Sequence, residues 1–180
     1  MRHFSYNRIT NRDKEVYKKS STRKGLKGMI RKIPNETPSY HFYNANPKGK
    51  RTNDCVVRAI SAATGKTWEE VLQGLTEIAL KFKLMPNDDK CYSRYLESLG
   101  WKKEKQPRKD NNTKYTGLEF CELLDSENCE YILPYQSSTD TVIAKIGGHH
   151  IVCIKIHDYE HKVFDTWNST GGCIGNYWTK

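Results

Sequence analysis

The period of the hydrophobic pattern changes once along this 180-residue chain, from helical to strand-like. Between residues 55 and 124, apolar side chains recur at helical spacing in four segments, which predicts four helices. After Asn128, short apolar runs separated by turn residues predict strands. The runs are 131–133, 141–146, 151–156 and 162–165. Because the connections are short, neighbouring strands should be antiparallel. The order predicts an α+β fold, with a helical half packed on an antiparallel sheet.

Two residue pairs mark helix starts with particular clarity. Thr67 with Glu70, and Thr116 with Glu119, have the spacing of the capping box, in which each side chain binds the other residue's backbone N–H. A further helix, rich in tyrosine and leucine, should end at Gly100. These signals predict where the second, third and fourth helices lie.

Positive charge is concentrated in the first part of the chain. Residues 1–52 hold 14 Lys/Arg against 3 Asp/Glu, a net charge of +11, whereas the remainder holds 16 against 18. No long helical or strand period accompanies these charges, so we predict a basic arm over residues 1–51, partly extended or disordered. Residues 34–49 combine three prolines with three aromatic residues, which indicates an extended segment along the surface of the body. A single domain is predicted over residues 52–180.

Composition excludes several classes of protein. The chain has no apolar run that fits a signal peptide or the roughly 20 residues of a membrane span. We therefore expect a soluble, cytoplasmic protein with no membrane partner. The six cysteines are scattered and none has CxxC spacing, so reduced thiols are expected, with no metal site and no cofactor.

Cys55 is the first residue with a potential chemical role. Asp54 is a candidate N-cap and Gly65 a helix stop, so Cys55 should begin a buried helix. The unpaired N–H groups and the dipole at a helix N-terminus favour a thiolate, which is the nucleophilic form. The alternative is that Cys55, followed by Val56 and Val57, is a small buried apolar residue.

A histidine and an aspartate in the second half of the chain could complete a catalytic group. His149 and His150 follow a diglycine turn and lead into the apolar strand at 151–156, on opposite faces of that strand. The next strand ends at Asp165, and an antiparallel neighbour would bring this carboxylate beside the histidine. A carboxylate in that position fixes the tautomer of an imidazole and stabilises its charged form.

Three short segments carry a resemblance to a known class of enzyme. The segments are TNDCVVRAISAATG, VIAKIGGHHIVCIK and KVFDTW. In this order they resemble the cysteine, histidine and aspartate motifs of papain-like-fold cysteine peptidases. The pattern is most similar to uncharacterised phage-associated proteins of cysteine-peptidase type, and the layout is similar to that of bacteriocin-leader-processing peptidases. NDCVVRAIS also resembles the nucleophile motif of ovarian-tumour-type deubiquitinases. The resemblance covers residues 53–178.

The resemblance implies a papain-like fold and a role for each matching residue. Cys55 takes the position of the nucleophile, His150 that of the base, and Asp165 that of the orienting group, with Asn168 as a rival for the last role. A phage-encoded protein of this kind would act in the host cell cytoplasm.

One departure from the papain-like pattern concerns the oxyanion donor. These enzymes usually carry a glutamine several residues before the nucleophile, where this chain has Lys48, Gly49 and Lys50. Asn53 could supply the donor through its side-chain amide, together with the backbone N–H of Cys55, or it could be a turn residue.

Two aromatic side chains near the predicted triad are candidates for contacts with substrate. Trp167 is expected to line the cleft, with core packing as the alternative, and His149 is placed beside the base.

Two functions follow as expectations. The first is acyl transfer through a thioester at Cys55, acting on a protein or peptide; peptidase, isopeptidase, transamidase and esterase activity all remain open. The second is an inactive papain-like scaffold that binds nucleic acid or a host protein through its basic arm.

Overall fold

The computed structural model describes residues 35–126 and 140–180, which form an α+β fold, as predicted. The helices are α1 (Cys55–Thr64), α2 (Trp68–Phe82), α3 (Asp89–Ser98) and α4 (Gly117–Leu124). The strands are β1 (Tyr40–Phe42), β2 (Lys102–Glu104), β3 (Thr141–Ile146), β4 (His150–His157), β5 (Glu160–Asp165) and β6 (Ile174–Thr179). The basic arm up to residue 34 and the strand predicted at 131–133 lie outside the described residues. Across the described ranges, no helix has the length and apolar character needed to cross a bilayer.

Both predicted capping boxes are present. The Thr67 hydroxyl accepts from the backbone N–H of Glu70 while the Glu70 carboxylate accepts from the backbone N–H of Thr67, and Thr116 and Glu119 repeat the arrangement. These contacts satisfy N–H groups that a helix start leaves unpaired.

Helix α1 begins at Cys55, as predicted, and ends at Gly65, whose φ of +71° is a left-handed conformation that glycine adopts without a steric cost. Asp54 occupies the N-cap position, but its side chain makes no capping hydrogen bond. Its carboxylate instead binds the guanidinium of Arg58 one turn along the helix. A hydrogen bond from a charged guanidinium to a carboxylate is stronger than one from a neutral backbone N–H, which explains why Asp54 binds Arg58 rather than capping the helix.

The six strands form one mixed sheet in the order β1-β5-β4-β3-β6-β2. All neighbours are antiparallel except β1 and β5, which run parallel with Tyr40 opposite Val163. The prediction of a wholly antiparallel sheet is therefore wrong at this edge. The reason is that residues 40–42, predicted as part of the arm, add a strand to the sheet. The opposite edge is β2, a short strand that is not among the predicted runs.

Helices cover both faces of the sheet. Ile143 and Ile151 pack into the core that contains α1, α2 and α3, whereas Val142 and Val152 pack with Phe120 of α4 on the other face. This alternation follows from the two-residue period of a strand. Because both faces are covered, we expect a cleft that opens to solvent to lie at the end of the strands.

Candidate active site

The three predicted catalytic residues meet at one end of the sheet. His150 is the first residue of β4 and Asp165 the last of β5. Because these strands are antiparallel neighbours, the start of one lies beside the end of the other. Helix α1 packs on β4, and its first residue is Cys55.

The Asp165 carboxylate is buried and held by several donors. Oδ2 lies 2.6 Å from Nε2 of His150 and accepts from the Ser169 hydroxyl at 2.9 Å, while Oδ1 accepts from the backbone N–H of Thr166 at 2.7 Å. The side chain of Asp165 is only 2% exposed. A carboxylate fixed in this way orients the imidazole and makes Nε2 its proton-bearing nitrogen.

The Cys55 thiol interacts with the other side of the same ring. Because Asp165 occupies Nε2, Nδ1 of His150 is the nitrogen that remains for the thiol. Burial raises the pKa of Cys55, but hydrogen bonds from His150 and from the backbone of Ile151, with the charges of His150 and Arg58, outweigh it, and the net pKa lies below the ordinary value. The site therefore favours a thiolate.

The pKa of His150 moves in the opposite direction. Burial lowers it, yet the hydrogen bonds and charges of Asp165 and Cys55 raise it to about 9. A lowered thiol pKa next to a raised imidazole pKa favours the thiolate–imidazolium form of the pair. That pair is the reactive form of a cysteine nucleophile.

A buried arginine stands behind the triad, and sequence reasoning missed it. Arg58 is 6% exposed, pairs with Asp54, and places Nη2 3.8 Å from Oδ1 of Asp165. Its Nε is buried without a hydrogen-bond partner. The available signal was a single charged residue in an otherwise apolar helix, three residues after Cys55 and so on the same side of it.

An open cleft of about 300 Å³ gives access to the thiol. The described residues that line it are Arg51, Thr52, Asn53, Cys55, Arg58, His150, Thr166 and Trp167. Trp167 is 48% exposed, and its ring centroid lies 5.3 Å from that of His150. The predicted Trp167 and Asn53 are thus brought to the cleft. Arg51 and Thr52 also line it, although sequence reasoning gave them no role.

The remaining predicted site residues lie elsewhere. His149 is exposed in the turn between β3 and β4 and is not among the described residues that line the cleft. Asn168, the rival to Asp165, accepts hydrogen bonds from the backbone N–H and hydroxyl of Thr170 at 3.2 and 2.6 Å. Asn168 is thus engaged in a local turn, and the carboxylate beside His150 belongs to Asp165.

The other described cysteines differ from Cys55 in setting. Cys91, Cys121 and Cys153 are buried, and burial raises the pKa of Cys121 and of Cys153 to about 12. Cys173 is exposed. Cys129 lies outside the described residues. Within residues 35–126 and 140–180, no cluster of three or more His, Cys, Asp or Glu side chains could hold a metal ion.

Comparison with protein-family models, with curated proteins and with solved structures found no match for this chain. The site is therefore interpreted from its own geometry.

Proposed function

We propose that this protein is a cysteine peptidase-like hydrolase of papain-like fold, with Cys55 as nucleophile, His150 as base and Asp165 as orienting group. The observation that carries the proposal is the chain of contacts from a buried carboxylate through an imidazole to a thiol of lowered pKa at the floor of an open cleft. Each contact matches the role that acyl transfer requires of its residue.

The first half of the reaction forms an acyl-enzyme. The Cys55 thiolate attacks the carbonyl carbon of an amide, so a C–S bond forms and the carbonyl electrons move onto oxygen. When that oxyanion collapses, the C–N bond breaks and His150 transfers its proton to the leaving amine. A thioester on Cys55 and a neutral His150 remain.

The second half of the reaction releases the acyl group. Neutral His150 takes a proton from water as the water oxygen attacks the thioester carbonyl. The C–S bond then breaks, which restores the thiolate and the imidazolium. An amine or alcohol in place of water would give transamidation or ester chemistry by the same steps.

Two donors are available for the oxyanion. The backbone N–H of Cys55 is among those that a helix start leaves unpaired, and the side chain of Asn53 belongs to the same cleft. Loss of one such donor lowers turnover by about 100-fold or more in enzymes of this type. We assign Asn53 this role, although the sequence around it departs from the usual glutamine.

The proposal is tested with purified full-length protein and a mixed peptide library, with new termini identified by mass spectrometry. Wild-type protein and Cys173→Ala should generate the same new termini, whereas Cys55→Ala should generate none. Cys173 is the matched control because it is an exposed thiol outside the cleft. Equal cleavage by Cys55→Ala would overturn the proposal.

A second candidate function is nucleic-acid binding through the arm. Residues 1–34 hold 11 Lys/Arg against 2 Asp/Glu, whereas residues 35–180 hold 19 of each. Binding through such an arm should weaken steeply with salt. Replacement of the eleven basic residues by glutamine in the full-length chain should abolish RNA and DNA binding at low salt. Unchanged binding by this variant would rule out the arm as the binding element.

A further inference from the structure

A second pocket lies directly beside the catalytic cleft. It has a volume of about 300 Å³ and is lined by Thr52, Asn53, Asp54, Val57, Trp68, Leu72, Met85, Pro86 and Asn87. Thr52 and Asn53 line both this pocket and the cleft that holds Cys55. The two spaces therefore share this stretch of the chain as a wall. We call the second space the Trp68 pocket.

The walls of the Trp68 pocket are held in place by hydrogen bonds. The indole Nε1–H of Trp68 donates to Oδ2 of Asp54 at 3.0 Å, which fixes the plane of the ring. The side-chain amide of Asn87 donates to the backbone carbonyl of Asn53 at 2.8 Å, which ties the wall at residues 85–87 to the segment that precedes Cys55. A pocket with fixed walls can bind a side chain with little loss of conformational entropy in the protein.

The chemistry of the Trp68 pocket is apolar. Asp54 is the one charged residue among its described lining residues, and both carboxylate oxygens are already engaged. Oδ1 binds Arg58, and Oδ2 accepts from Trp68 and, at 3.3 Å, from the side-chain amide of Asn46. The pocket therefore offers no free charge to a ligand. The catalytic cleft differs, because Arg51 and Arg58 line it.

We propose that the Trp68 pocket binds one large apolar side chain of a peptide substrate, of the leucine, methionine or phenylalanine kind. The proposal rests on the function proposed above and names the substrate class. Extended peptide advances about 3.3 Å per residue, so a wall shared with the cleft places this side chain within one or two residues of the bond that Cys55 attacks. Met85, 68% exposed at the pocket, supplies a flexible thioether that adapts to differently shaped apolar groups.

The expected selectivity follows from the area that such a side chain buries. Full burial of a leucine-sized group should raise kcat/KM by about 10- to 100-fold over the same peptide with alanine at that position. An acidic or basic residue at the same position should be rejected more strongly than alanine, since its charge would be desolvated without a partner.

The test compares substitutions at two residues of nearly equal solvent exposure. Met85→Glu places a carboxylate at the pocket, whereas Leu80→Glu makes the same change at a residue of α2 that is 66% exposed and outside the pocket. On a peptide library scanned one position at a time, Met85→Glu should lose the apolar preference by at least about tenfold. Leu80→Glu should keep it. A wild-type enzyme without an apolar preference at any position, or two variants with the same profile, would overturn the proposal.

A binding measurement separates this proposal from the catalytic one. In full-length Cys55→Ala protein, the indole N–H resonance of Trp68 should shift on titration with a capped leucine tripeptide and shift far less with its alanine analogue. An unmoved indole resonance contradicts the pocket proposal, whereas selective binding without hydrolysis by wild-type protein contradicts only the catalytic proposal.

Discussion

Two histidine–aspartate pairs involve neighbouring strands, and their settings differ. Nε2 of His150 lies 2.6 Å from Oδ2 of Asp165, and Nδ1 of His161 lies 2.5 Å from Oδ1 of Asp125. His161 is 4% exposed, and its backbone N–H also donates to both oxygens of Asp125 at 3.1 Å, which ties the end of α4 to β5. His150, in contrast, lines the open cleft beside Cys55.

The difference teaches that a short histidine–aspartate contact does not by itself define a catalytic site. The Asp125 pair satisfies a buried ring and a backbone donor, as buried polar groups require. The Asp165 pair orients a ring whose second nitrogen is available to a thiol. What distinguishes the two is access from solvent and the presence of Cys55. His161 and Asp125 therefore provide matched controls for substitutions of His150 and Asp165.

The largest effect should come from the two histidines. His150→Gln should lower kcat by about 10²- to 10⁴-fold, because the general acid and base is lost. The same variant should no longer react with iodoacetamide at Cys55 below the ordinary thiol pKa, because the imidazolium that stabilises the thiolate is absent. His161→Gln should leave kcat within about threefold and instead lower the free energy of unfolding by about 1–3 kcal/mol. Steady-state kinetics and denaturant unfolding give these values. Similar losses of kcat in both variants would erase the distinction between the pairs.

Substitutions of Asp165 and Asp125 should show the same contrast between lost activity and lost stability, with a smaller effect on kcat. Asp165→Asn keeps the shape of the side chain but no longer selects the productive tautomer of His150, so kcat should fall by about 100-fold or more. Asp125→Asn should act on stability alone. Both kcat and the midpoint of denaturant unfolding are measured for each variant. A large loss of activity without a loss of stability in Asp125→Asn would contradict the comparison.

Local signals explain why part of the site could be predicted. The position of Cys55 at the start of α1 depends on adjacent residues, as does each capping box. The meeting of His150 with Asp165 depends on two antiparallel strands joined by a short turn, which the hydrophobic pattern also indicates. Each of these inferences needed only neighbours in sequence or one hairpin.

Contacts between distant segments account for what was missed. Arg58 of α1 approaches Asp165 of β5, and β1 reaches the sheet from a segment predicted as part of the arm. The strand predicted at 162–165 begins two residues earlier, at Glu160. The turn lies at Asp158 and Tyr159, both with positive φ, and His161 is buried within β5. No periodic pattern in so short a hairpin distinguishes turn from strand.

Hydrolysis of a peptide and alkylation by iodoacetamide both use Cys55, but their rates should depend differently on pH above the pKa of His150. That pKa is raised to about 9, so the imidazolium that protonates the leaving amine persists to about pH 9 and is lost above it. Hydrolysis should therefore fall by about tenfold per pH unit beyond this point. Alkylation by iodoacetamide needs only the thiolate and should show no decline there. His161→Gln should retain both profiles, and a parallel decline of alkylation and hydrolysis would contradict the assignment of the acid.

The smallest effect concerns the buried ion pair between Asp54 and Arg58, next to Asp165. The Arg58 guanidinium lowers the pKa of the Cys55 thiol. By Coulomb's law a carboxylate at the adjacent Asp54 should act in the opposite sense, so we expect removal of the two groups to shift the thiol pKa in opposite directions. In Arg58→Lys a single ammonium replaces the guanidinium, whose Nη1 binds Asp54 and whose Nη2 lies 3.8 Å from Asp165, and Arg58→Met removes the charge altogether. Both variants should slow alkylation of Cys55 at pH 6. Asp54→Asn should speed it several-fold.

The opposite signs distinguish electrostatic control from mere structural support. Arg58→Met and Asp54→Asn each remove one partner of the same buried ion pair, so each should destabilise the fold by about 3–5 kcal/mol. If support of the fold were the only role of the pair, both variants would change alkylation in the same direction. The double variant Asp54→Asn/Arg58→Met removes both charges of the pair, so it should recover part of the lost stability. It should still react more slowly than Asp54→Asn. Equal alkylation rates in Asp54→Asn and in the double variant would show that Arg58 does not act on the thiol.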